Sequence, residues 1–113
     1  MHEMSLTESV IGIIEEEARR QHFVRVRAVV LEIGVLACAE PEALRFCFDV
    51  VSRGTAAEGA RLDIVLVPGA GWCFHCERTV ALAERFAPCP ECGHSRVQMT
   101  SGDALRVREL EVE

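Results

Sequence analysis

The 113-residue chain contains no Lys, no Tyr and only one Trp, and five Phe complete a thin aromatic set. A core of stacked aromatics is thereby excluded. The fold must be held by aliphatic packing, hydrogen bonding or a metal. All twelve basic residues are Arg, and they face eighteen acidic ones, for a formal net charge of −6. Without a basic patch, the counterion release that drives nucleic-acid binding has no source. An acidic surface suits a protein partner or a cation instead. No apolar run approaches the roughly 18 residues of a membrane span. The N-terminus lacks the charged, apolar and cleavage-site regions of a secretory signal. The expected location is the reducing cytoplasm. Half of the residues are hydrophobic, enough for one domain, or for one small domain plus a metal module.

What the chain does have is cysteine in a pattern. Cys73-Phe74-His75-Cys76 and Cys89-Pro90-Glu91-Cys92-Gly93 are separated by twelve residues. Each Cys-x-x-Cys can close a tight turn that aims two sulfurs at one point, and two such turns supply a tetrahedron of thiolates. Pro90 fixes φ in the second turn, and Gly93 lets the backbone leave it with φ > 0. Structural Zn²⁺ is the favoured occupant, because four thiolates leave no open position. A rubredoxin-like iron site and a pair of redox disulfides are the weaker readings. Loading zinc onto four thiolates would take the charge to about −8. Cys38 and Cys47 are read as free, Cys47 as a core residue.

Periodicity orders the rest. Ser5-Leu6-Thr7-Glu8 has capping-box form, and Leu6, Val10, Ile13, Ile14 and Ala18 follow at helical spacing, which predicts a helix over 6–21. His22 falls at its end, where the helix dipole favours a cation. A strand is predicted over 23–33, with inward Val24 and Val26 giving way to Val29, Leu31 and Ile33 through a bulge near Ala28 or a doubly buried end. Pro41 sits at a natural N1 position of a second helix over 41–53, which Gly54 would stop. Residues 61–67 alternate as a strand with Leu62, Ile64 and Leu66 on one face, ended by Pro68 and Gly69. A last strand over 104–112 changes parity near Arg108. The predicted class is α+β: a small mixed three-stranded sheet covered by two helices, with an inserted zinc ribbon. Residues 1–70 plus 101–113 would form the α/β domain and 71–100 the ribbon.

The first three residues carry a second metal chemistry. A residue as large as His2 discourages removal of Met1, so the α-amine stays beside it. That amine, the deprotonated His2 amide and the His2 imidazole can close fused chelate rings, with Glu3 completing the shell through its amide or carboxylate. Planar nitrogen donors select Ni²⁺ or Cu²⁺. An idle, frayed terminus is the bland alternative. His75 and His94, one in each knuckle region, are two further donors that could assist.

Taken together, these residues resemble the HypA/HybF family of hydrogenase nickel-incorporation proteins. The resemblance rests on Met1-His2-Glu3; on Leu31-Glu32-Ile33-Gly34-Val35-Leu36 followed by Glu40-Pro41-Glu42-Ala43-Leu44-Arg45-Phe46-Cys47-Phe48; on both cysteine pairs; and on the tail from Gly102 to Glu113. It covers essentially the whole chain. It implies a nickel metallochaperone and not an enzyme. His2 would be the principal Ni(II) ligand, Met1 and Glu3 would give backbone nitrogen, and Cys73, Cys76, Cys89 and Cys92 would hold Zn(II). The implied partners are a HypB-type GTPase, the large subunit of [NiFe]-hydrogenase and, in some organisms, the urease system. Membrane and nucleic acid are not among them, and a homodimer stays open. The family often has Gly after the first cysteine pair. This chain has Glu77, which should alter the turn only locally. The competing functions are a zinc-ribbon module for a nucleic acid or transcription partner and a thiol redox enzyme. Charge and the scarcity of aromatics weigh against the first.

Overall fold

A computed structural model describes residues 2–113. The elements run α1 (His2–Gln21), β1 (Val26–Gly34), α2 (Pro41–Val51), β2 (Arg61–Val67), β3 (Gly69–Cys73), β4 (Arg78–Leu82), β5 (Val97–Ser101) and β6 (Leu105–Val112). They make two three-stranded sheets, ordered β2-β1-β6 and β4-β3-β5. The α+β class is as the sequence indicates. By backbone proximity the chain forms two compact units. The first comprises Met1–Leu31, Ala39–Ile64 and Val107–Glu113, and the second Glu32–Cys38 and Val65–Arg106.

In the first unit, α1 and α2 bury one face each. Val10 and Ile14 of α1 and Leu44, Cys47 and Phe48 of α2 are buried, as are Val26, Val29 and Leu31 of β1. Val10 and Ile14 belong to the row whose spacing marks α1, although Ile13 of the same row is exposed, and Cys47 lies in the core as expected. Full burial of a side chain such as Ile14 or Leu44 stabilises the fold by about 1.5–3 kcal/mol. Pro41 occupies the start of α2. Glu40 caps it with φ −84° and ψ 120°, its carboxylate accepting from the Glu42 amide. The helix stops at Val51 rather than residue 53. Gly54 follows with φ +78°.

Three expectations need correction here. Ser5 does not cap α1, which runs back to His2. The extra turn has a tertiary anchor: the Glu3 carboxylate accepts the Glu40 amide at 3.2 Å. Thr7, buried, donates its hydroxyl to the Glu3 and Met4 carbonyls. At the other end, His22 adopts φ +60° and the Phe23 amide donates to the Ala18 carbonyl, a Schellman-type stop. That turn throws Val24 outward, 86% exposed, so β1 begins only at Val26. Within β1, Ala28 and Val29 are buried in succession, the phase change expected near Ala28. The inward row of β2 fades from buried Leu62 to exposed Leu66.

The second unit contains the ribbon. Pro68 alone separates β2 from β3, so Gly69 opens a new strand instead of ending the old one. β3 pairs antiparallel with both β4 and β5, placing Cys73 opposite Arg78 on one side and Val97 on the other. The closing strand β6 shows half-buried Leu105, Val107 and Leu110, with Arg108 and Glu109 exposed in succession. That is the parity change read from the sequence.

Candidate metal centre

Two turns of matching design build the centre. In the first, the Glu77 amide donates to the Cys73 carbonyl at 2.8 Å and the Cys76 amide to the Cys73 Sγ at 3.3 Å. In the second, the Gly93 amide donates to the Cys89 carbonyl at 2.8 Å and the Glu91 amide to the Cys89 Sγ at 3.4 Å. The His94 amide reaches the Cys92 Sγ at 3.5 Å. Amide donors aimed at sulfur stabilise thiolate. Gly93 leaves its turn with φ +78°, as its position suggests, and Glu77 does the same with φ +55°. The turn therefore calls for a left-handed residue at this position, which this chain fills with Glu.

The four sulfurs converge within 4.8 Å of one another. Cys73 and Cys92 approach to 3.7 Å, Cys76 and Cys89 to 3.9 Å. A tetrahedral shell with metal–sulfur bonds of about 2.3 Å has edges of about 3.8 Å, so the donor set and its spacing fit a four-thiolate metal. Among the described residues this is the one convergence of three or more metal-ligating side chains. The thiols are not equivalent. Hydrogen bonding with Cys92, followed by burial, pushes Cys76 up to about 12. Burial also acts to raise Cys89, but the Glu91 and Cys92 amides and the neighbouring thiols outweigh it and bring Cys89 down to about 7. Four thiolates cannot coexist at this separation without a cation, and a divalent ion supplies the missing charge.

Around the centre, Arg78 pairs with Glu91 across the two turns. The rings of His75 and His94 stack at 5.0 Å and 8°. The Arg96 guanidinium lies 4.8 Å over Phe74. The cysteine spacing gives no hint of these contacts, although each joins residues in or beside the two motifs.

The N-terminal candidates are placed differently. His2 is exposed in the first turn of α1, and Met1 lies outside the described residues. Glu3 is engaged through its carboxylate. The Glu40 amide, then its own, holds that carboxyl below its usual range. A depressed carboxyl stabilises the fold above its unfolded pKa, and this contribution is lost as pH falls through the lowered value. Glu40 is the partner that spacing could not reveal, since it lies 37 residues from Glu3.

An α+β domain carrying a four-cysteine ribbon of this geometry is a metal-binding protein with a structural-type site. Its sequence matches over residues 1–112 the family described as hydrogenase/urease nickel incorporation, metallochaperone, HypA. The hydrogenase maturation factor HypA of Methylocella silvestris is 65% identical over the full length of both chains, and that of Azotobacter vinelandii 57%. A solution structure of HypA protein superposes with a TM-score of 0.73 at 26% identity, covering 100% of this chain and 97% of that one. The Ni metallochaperone HypA from Helicobacter pylori shares the fold with a TM-score of 0.72 at 24% identity, over 97% and 96% of the chains. The chain belongs to the HypA family, whose members are nickel-incorporation metallochaperones acting in hydrogenase maturation rather than enzymes.

Proposed function

We propose that this chain carries Ni(II) as cargo on its Met1-His2-Glu3 segment and delivers it to the large subunit of [NiFe]-hydrogenase in the cytoplasm. A HypB-type GTPase, and in some settings urease accessory proteins, would be the exchange partners. Zn(II) held by Cys73, Cys76, Cys89 and Cys92 keeps the ribbon folded. In this reading the 71–100 ribbon is the structural module, and residues 1–70 with 101–113 form the nickel-binding one.

The observation that supports this reading is the start of α1 at His2. The first N–H groups of a helix have no intrahelical acceptor. Nickel can therefore take the deprotonated His2 amide without breaking the helix ladder. The His2 ring is exposed and free to turn toward the same ion. The Glu3 carboxylate, by gripping the Glu40 amide, fixes the turn from which the chelate projects. A terminal chelate of this kind can yield its ion to a better shell with no loss of core packing.

The test is a nickel titration of untagged protein beside His2→Gln. Gln is bulky enough to preserve Met1 and removes the imidazole. The expected result is about one Ni²⁺ per native chain, binding lost in the variant, and an unchanged metal content at the four cysteines. Equal nickel uptake by both proteins would overturn the N-terminal assignment.

A further inference from the structure

We infer that the open edge of β5 and the apolar cleft beside it form a docking site for an extended segment of another protein. That segment adds a strand to the ribbon and presents an aliphatic side chain between carboxylates. The site rests on the ribbon's fold alone and is independent of the nickel reading. Phe86 is 99% exposed and holds φ +63°. A bulky side chain in the left-handed region is strained, and one that stays in water gains no burial to offset the strain. Neither feature serves the ribbon's own stability, and an exposed aromatic held in this way is suited to burial against a partner. Beside it lies a cleft of about 90 Å³ lined by Leu82, Arg85, Phe86, Ala87, Val97 and Met99. Gly71 lets Leu82 and Val97 close on each other there, since a Cβ at that position would lie 2.7 Å from the Leu82 Cδ1 and 2.8 Å from the Val97 Cγ1.

β5 borders the cleft and pairs with β3 alone. It reads Val-Gln-Met-Thr-Ser, without the charge or proline that usually blunts an edge. The Phe74 amide donates to the Arg96 carbonyl. In this antiparallel ladder Arg96 and Gln98 therefore face β3, and Val97 and Met99 turn their backbone groups to the open side. The Val97 amide is taken by the Ser95 carbonyl. The Val97 carbonyl and both Met99 groups are left for an added strand, and the register shift falls beyond them. Val97 and Met99 are half-buried while Gln98 is exposed. An added strand extends the face that borders the cleft and sets alternate side chains toward it. Charge selects the occupant. Arg85 is the one charged residue lining the cleft. Its Nε donates to the Leu36 carbonyl at 2.7 Å, which fixes the guanidinium, and no carboxylate of the described residues pairs with it. A second copy of β5 brings no carboxylate either, so an acidic segment of a different protein is the complementary partner.

The test is an NMR titration of the full, isotope-labelled, metal-loaded chain with the capped peptide Thr-Asp-Thr-Leu-Thr-Asp-Thr, up to about 1 mM. Its Asp and Leu side chains share one face of a strand. The expected result is saturable binding with shifts confined to β5, Leu82 and residues 85–87. The counterpart with Lys in place of both Asp should bind about tenfold more weakly. Net charge cannot mimic that preference, because a chain of net charge −6 favours the Lys peptide. Methylating alternate peptide nitrogens should abolish binding in one phase and spare it in the other, since only one edge of the peptide meets β5. Phe86→Asn keeps a residue that tolerates the left-handed region and should weaken binding about tenfold without disturbing the ribbon's other resonances. Arg85→Gln should erase the preference for the acidic peptide. Several outcomes would each overturn the inference: no saturable shifts, equal binding of the Asp and Lys peptides, equal binding of both methylated phases, or indifference to Phe86→Asn. So would β5 shifts that follow protein concentration alone, which would make a second copy the occupant.

Discussion

Glu77 adopts φ +55° at the end of the first metal turn, where Gly93 adopts φ +78° at the end of the second. Both amides donate to the carbonyl of the turn's first cysteine at 2.8 Å, so the conformation is required by the turn and not by the residue. A side chain in the left-handed region costs roughly 1–2 kcal/mol. Glycine removes that strain but gives up about 0.5–1 kcal/mol of unfolded-state entropy. The Glu77 side chain is exposed, and its loss removes no packing. Glu77→Gly should therefore stabilise the metal-loaded protein by about 0.5–1 kcal/mol. Denaturant titration checks this as a higher midpoint at unchanged slope, and a lower midpoint would show that the Glu side chain contributes more than its conformation costs.

The strand ends of the second unit meet through glycine. A Cβ on Gly34 would lie 2.0 Å from the Gly102 carbonyl oxygen, and one on Gly102, at φ +93°, would lie 2.5 Å from the Gly69 Cα. Backbone bonds lock the same junction: the Gly34 amide donates to Ala104, Val35 to Val67 and Leu36 to Gly102. No flexible side chain is available to move aside, so Gly34→Ala should destabilise by about 2–3 kcal/mol or more. Gly12, in α1 with nothing within 4 Å of its Cβ position, should respond in the opposite sense, with Gly12→Ala stabilising by about 0.5–1 kcal/mol. Paired thermal melts of the two variants read both signs, and a tolerated Gly34→Ala would refute the close approach. This contrast also marks where sequence reading reaches its limit. The β2 boundaries, the Pro41 helix start, the parity changes in β1 and β6 and the cysteine pairs were legible because each is written in neighbouring residues. The start of α1 at His2 was not, because Glu3 finds its partner 37 residues away. Nor could the roles of Gly34 and Gly69 be read, since the atoms that crowd them, backbone at Gly34 and the Leu82 carbonyl and Leu36 side chain at Gly69, come from distant segments. The stacking of His75 on His94 likewise depends on how the two turns face each other.

At the scale of the molecule, the two units are stabilised differently. The first has an aliphatic core shared by both helices and β1. Beyond buried Leu82 of β4, the ribbon's core is Cys73, Val80 and Cys89, with Cys76 and Val97 packed against it. Three of those five residues belong to the four-cysteine cluster itself. So little apolar area cannot offset the ordering entropy of three strands and two turns, and the bound metal must supply the balance. Structural zinc in small modules is worth an apparent ~10–16 kcal/mol, more than the ribbon could replace. Metal removal by a chelator should therefore abolish hydrogen-exchange protection in Gly69–Cys73, Arg78–Leu82 and Val97–Ser101, while α1 and α2 keep theirs. Reloading at neutral pH should release protons, about three or more per chain, because thiols freed from an unfolded ribbon are mostly protonated there and bind the metal as thiolates. The sign follows directly: as pH falls, protons compete for the same sulfurs and metal affinity drops. A pH-indicator titration of the metal-free chain measures the release. Ribbon amides that stay protected after metal removal, or uptake without proton release, would show that the four sulfurs are held by packing and not by the ion they are spaced to bind.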